Sequence, residues 1–102
     1  MRFIQRSNAF KHSYDRMKKR GKKMEKLQQA IGLLAQDLPL PPSYRDHALS
    51  GNFAGFRDLH VEPDWILIYA KKEVTTEHPD GILTLEVTGT HADLFYSMFK
   101  FL

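Results

Sequence analysis

The 102-residue sequence contains no cysteine. That excludes disulfides, thiolate nucleophiles and Cys-based zinc sites, and leaves the compartment open. No apolar run approaches the roughly 20 residues that span a bilayer. Met1 to Phe10 carries basic side chains but no apolar core segment, so no signal peptide is expected. A soluble, cytoplasmic protein without membrane contact is the default. No serine sits in a G-x-S-x-G elbow, which removes one common hydrolase nucleophile. Close histidine pairs such as H-x-H or H-E-x-x-H are missing, so a metal centre has little support. Repeats and low-complexity tracts are also absent, and the length suits one domain spanning 1–102.

Acids are scarce at the start. Residues 1–26 hold ten Lys/Arg against Asp15 and Glu25, a net charge of +8, whereas 27–102 carry −5. A basic block on a small domain is the footprint of a polyanion partner. Its ordinary alternative is a solvated helix face. The run is densest in "KKRGKK", where Lys18, Lys19, Arg20, Lys22 and Lys23 are the candidate RNA contacts.

What is present reads as an α+β domain. Arg2 to Arg6 is a short candidate strand. Ser7 and Asn8 are good N-cap types, and Phe10, Tyr14 and Met17 follow at helical spacing. Gly21 suits a helix stop. Met24, Leu27, Ile31, Leu34 and Leu38 then form a second apolar stripe, which predicts an antiparallel helical pair. Pro39, Pro41 and Pro42 end the helical part. Phe56–Val61, Trp65–Lys71 and Ile82–Thr88 read as strands, with Pro79, Asp80 and Gly81 turning the chain before the last. Asp93 to Phe99 fits a short helix or a strand. The expected outline is β-α-α-β-β-β, with two helices on one face of a small, mainly antiparallel sheet.

Five histidines occur. His12 lies in the basic helix and His78 in a polar loop, and both read as surface. His47, His60 and His91 all fall at the margins of sheet strands, and Asp64 sits in the turn entering the Trp65 strand. Taken singly, each reads as a strand-end cap. Together they can converge on one end of the sheet. Without a thiol or an activated serine, the chemistry left to such a set is acid–base work. Histidine takes and gives a proton near neutrality. RNA needs little more, because its 2′-hydroxyl is an internal nucleophile beside the phosphate. No metal or cofactor is required. Arg57, three residues before His60, is the candidate cation for the transition-state charge. An ion pair with Asp46 or Asp58 is its alternative. Trp65 reads as core, and Phe95 as a ring that can stack on a base.

The segments "DHALSGNFAGFRDLHVEPDWILIY" and "TGTHADLF" resemble the RelE/ParE superfamily of bacterial toxins, specifically its YafQ-like branch. The likeness is close over residues 44–95 and looser over the helices. It implies a ribosome-dependent messenger-RNA endonuclease, silenced by a cognate antitoxin in a type II toxin–antitoxin pair. By motif, it implies catalytic roles for His47, His60, Asp64 and His91, with Phe95 in support, but does not say which is base and which is acid. Two alternatives stand beside it: a non-enzymatic ParE-like toxin that binds DNA gyrase, and an RNase that works without ribosomes.

Overall fold

The computed structural model describes residues 1–96. Strand β1 (Phe3–Arg6) leads into helices α1 (Asn8–Lys19) and α2 (Met24–Ala35), and strands β2 (His47–Ala48), β3 (Arg57–Glu62), β4 (Trp65–Lys72) and β5 (Ile82–Gly89) follow. A single wide, π-helical turn, Ala92–Tyr96, comes last. The sheet order is β1-β5-β4-β3-β2. β1 runs parallel to β5, and every other neighbouring pair is antiparallel. The expected outline therefore holds, with the two-residue β2 added. Phe99 lies outside the described residues, and so does the rest of the chain end beyond Tyr96.

Local chemistry explains the helices. Ser7 accepts a hydrogen bond from the Phe10 N–H at 2.9 Å and caps α1. Gly21 takes φ +85°, a left-handed geometry that costs glycine little, and the chain turns into α2. Both helices lie on one face of the sheet. Phe10, Met17, Met24, Leu27 and Leu34 pack there against Leu59, Trp65, Leu67, Tyr69, Leu83 and Leu85. Each such burial stabilises by about 1.5–3 kcal/mol, so this layer is the main core. The stripe of α2 stops short of expectation. Asp37 turns left-handed (φ +54°) just past the helix, and Leu38 is left 45% exposed. Arg2 and Lys71 both bond the Asp37 carboxylate, which holds that turn in place.

Alternation along the strands divides the two faces of the sheet. In β4, Trp65, Leu67 and Tyr69 face the helices, while Ile66 and Ile68 face the other way. A bulge opposite Ile68/Tyr69 shifts the register of β5. Leu83 and Leu85 face the helices, but Val87 joins the opposite face. Thr88 accepts a hydrogen bond from the buried Trp65 indole N–H at 2.9 Å. Trp65 is therefore core, as its sequence context suggested. On the second face a smaller cluster gathers Ile66, Ile68 and Leu94 with Leu49, Phe53, Phe56, Val87 and Phe95. The candidate site stands at the rim of this face.

Candidate active site

Three strand ends bring the histidines together. His47 on β2 is the cross-strand partner of Asp58 on β3. His60 pairs with Ile66, and Ile66 in turn pairs with Gly89 at the end of β5. His91 therefore enters beside His60. The His60 ring centroid lies 5.4 Å from His91 and 6.4 Å from His47. The Phe95 ring stands 6.1 Å from His91 and packs edge-on against Phe53, so it borders the cluster from the apolar side. Among the described residues, no group of three His, Asp or Glu has an arrangement suited to a metal ion.

The three rings share one hydrogen-bonding pattern. Nδ1 of His47 donates to the Arg45 carbonyl at 2.9 Å, and Nδ1 of His60 to the Pro63 carbonyl at 3.2 Å. A carbonyl can only accept, so in each case Nδ1 carries the proton. Nδ1 of His91 meets the Asp64 carboxylate at 2.7 Å, and the His91 backbone N–H bonds the same oxygen at 3.0 Å. Those two bonds, the backbone one first, hold the Asp64 carboxyl below its usual range. With every Nδ1 engaged, each neutral ring keeps its lone pair on Nε2. Three proton acceptors of one tautomer thus lie within a single nucleotide's reach.

Asp58 forms the floor. Its side chain is 5% exposed, and its Oδ1 lies 3.0 Å from His47 Nδ1, yet that oxygen receives no hydrogen bond. Burial pushes the Asp58 carboxyl above its ordinary range, against the pull of the three imidazoles. Sequence reading considered Asp58 only as a partner for Arg57. The signal that finds it is the period of two along a strand: Asp58 and His60 share a face.

The same period moves Arg57 away. Residues three apart on a strand point to opposite sides, so Arg57 falls on the helix-facing side with its cross-strand partner Tyr69. Its guanidinium bonds Asp46 at 2.8 and 3.1 Å, and Tyr69 donates its hydroxyl to the same carboxylate. The ion-pair alternative is the one observed, and no cation reaches the histidines from Arg57.

The basic run is also divided by the fold. Arg20 bonds Asp93 through both guanidinium ends, at 2.6 and 3.1 Å, and Arg16 approaches it at 3.6 Å. Lys22 and Lys26 each bond Glu62 at 2.9 Å. Lys18, Lys19 and Lys23 stay exposed. Of the five expected RNA contacts, Arg20 and Lys22 therefore serve the fold as ion-pair partners. Asp93 has a second task, because it accepts from the Thr90 N–H at 3.0 Å while its own N–H donates to Thr90 Oγ1 at 3.1 Å. This reciprocal cap fixes the turn that carries His91. Gly89 makes room for it: a Cβ there would stand 3.0 Å from Asp93 Oδ2 and 3.1 Å from Asp93 Cβ.

Known proteins resemble the chain over nearly its whole length. Residues 2–96 match the family described as "Bacterial toxin of type II toxin-antitoxin system, YafQ". The mRNA interferase toxin YafQ of Escherichia coli K12 is 45% identical over 95 residues, covering 92% of this chain and 96% of the relative. The crystal structure of YafQ from E. coli BL21(DE3) superposes with a TM-score of 0.79 at 44% identity, covering 93% of this chain and 99% of that one. In the E. coli DinJ–YafQ toxin–antitoxin complex, the matched chain is 45% identical with a TM-score of 0.76, over 92% of this chain and 97% of its own. The chain therefore belongs to the YafQ family of toxins from type II toxin–antitoxin systems.

Proposed function

We propose that this toxin is an mRNA interferase of RelE/ParE type, which cuts messages on translating ribosomes in the cytoplasm and is silenced by a cognate antitoxin. The observation that carries the reading is the cluster of three imidazoles on one rim, each engaged through Nδ1 and with no described residue bonded to Nε2. His47 and His60 each donate Nδ1 to a carbonyl, His47 with the Asp58 carboxyl also 3.0 Å away, and so present Nε2 lone pairs suited to a base. One of them takes the 2′-hydroxyl proton as O2′ forms its bond to phosphorus. His91 gives its Nε2 proton to O5′ as the P–O5′ bond breaks. The Asp64 carboxylate orients the His91 ring and lies against its positive charge, as expected of an acid's partner. The products are a 2′,3′-cyclic phosphate and a 5′-hydroxyl. Phe95 stacks on a base beside the cut. Protonated imidazoles then supply the positive charge at the phosphorane that Arg57 does not.

The test is cleavage of ribosome-bound message by His91→Ala, with an expected loss of at least about 10²-fold. Cleavage at the wild-type rate sinks the assignment. The same message without ribosomes distinguishes a free-standing RNase, and a supercoiling assay distinguishes a gyrase toxin.

A further inference from the structure

β2 is too short to hold its own histidine. It contributes two cross-strand pairs, His47 with Asp58 and Ala48 with Arg57. Two residues before His47, Arg45 takes a left-handed backbone (φ +49°), a region that a residue with a Cβ seldom adopts. Yet this segment sets one of the three rings, because the Arg45 carbonyl accepts from His47 Nδ1 at 2.9 Å. Something must fix residues 45–47 against the longer strands.

Asp46 does so from behind. Alternation sends its side chain to the helix-facing side of the sheet, away from the His47 ring. There the carboxylate meets Arg57 of β3 and Tyr69 of β4, themselves cross-strand partners. Arg57 donates Nε and Nη2 to Asp46 Oδ2 at 3.1 and 2.8 Å, and the Tyr69 hydroxyl donates to Oδ1. Both carboxylate oxygens are thus engaged, by donors from two strands. Two bonds from one planar guanidinium fix direction as well as distance. The Tyr69 side chain is buried. Burial first, and then the bond to Asp46, push its hydroxyl above the ordinary range, so it remains a donor.

We infer that Asp46, Arg57 and Tyr69 are positioning residues for His47, on the reading of the chain as an interferase. Their clamp on the 45–47 backbone fixes the Arg45 carbonyl, and with it the tautomer and direction of the His47 imidazole. The clamp lies on the other face of the sheet from the ring, so it reaches the reaction only through the ring that it aims. A proton carrier must stand within hydrogen-bond reach of its proton, and a displacement of about 1 Å costs on the order of 10²-fold. Arg57 therefore serves the site as an anchor of His47 and not as a cation at the phosphate.

The experiment compares wild type, Asp46→Ala, Tyr69→Phe, His47→Ala and the double variant of Asp46→Ala with His47→Ala on ribosome-bound message, beside nitrogen NMR spectra of the histidine rings. Asp46→Ala should lower kcat about 10- to 10²-fold and leave KM within about twofold. In the His47→Ala background it should cost less than about twofold more, because the ring it serves is already gone. The spectra should show His47 losing its single Nδ1–H tautomer while the His60 and His91 signals stay as in wild type. Tyr69→Phe deletes one donor and leaves the charged pair. It should move both readouts the same way by less, and it decides the matter where Asp46→Ala does not fold. Three results overturn the clamp: an Asp46→Ala kcat equal to wild type, an equal loss with and without His47, or His47 signals that change in neither variant. A wild type that cuts no ribosome-bound message removes the interferase reading instead, and the spectra then decide whether the clamp sets the ring.

Discussion

Asp93 shows how one carboxylate serves the site without entering it. Arg20 first, then the Thr90 N–H and hydroxyl, hold its pKa far below the ordinary 3.8. A depressed carboxyl stabilises the fold at pH values above its unfolded pKa. That contribution is lost as pH falls through the folded value. Asp93→Asn should therefore destabilise by up to about 1 kcal/mol at pH 7 through the lost half-exposed ion pair, since the amide oxygen can still accept from the Thr90 N–H. The gap to wild type should begin to narrow as pH falls below the ordinary 3.8 and close only as pH falls through the much lower folded value. Denaturant titrations at neutral and at acid pH check this. A gap of equal size at pH 2 would mean that the charge of Asp93 is irrelevant. Asp64 is depressed in the same direction but stands 68% exposed, so its bond to His91 concerns ring orientation more than stability.

The strands carry the site, so their turns and registers matter more than their composition. Gly81 starts β5 at φ +84°, and a Cβ there would lie 2.8 Å from the Lys72 carbonyl oxygen and 2.6 Å from Arg2 Nη1. The arginine can move, but the carbonyl belongs to the neighbouring strand. Gly81→Ala should cost about 1–3 kcal/mol, from the left-handed strain and the displaced backbone together. Thermal unfolding measures it, and an unchanged midpoint would show that the turn relaxes freely. Most of these elements were legible, because periodicity and punctuation are local. Ser7, Gly21 and the alternating strands marked their ends within a residue or two. β2 was not legible: two residues carry no period, and only pairing with β3 makes them a strand. Leu38 misled because the helical stripe continues in sequence past the point where Asp37 turns the chain.

Across the whole molecule, charge is sorted by use. Arg16, Arg20, Lys22 and Lys26 tie the helices to Asp93 and Glu62, near the rim that bears the histidines. Lys18, Lys19 and Lys23 stay exposed. Changing these three to alanine should weaken ribosome binding and flatten its log–log salt slope by about two to three, since each lysine on a phosphate contributes roughly 0.7–0.9. A slope equal to wild type would return the run to solvent. Arg20→Ala should behave differently, losing stability through Asp93 with little change in salt slope.

The residue types of the site, and the neighbourhoods in which to look for it, were set by the chain itself. His47, His60, Asp64 and His91 stand at strand margins, and the sequence marks those margins through local propensity. Orientation was decided only by tertiary structure. Arg57 and Asp58 are adjacent in sequence, yet pleating puts one with the helices and the other under the imidazoles. Arg20 and Lys19 read alike until Asp93, 73 residues from Arg20, pairs with the arginine and not with the lysine. Face and partner depend on contacts between distant segments, and no local pattern encodes them.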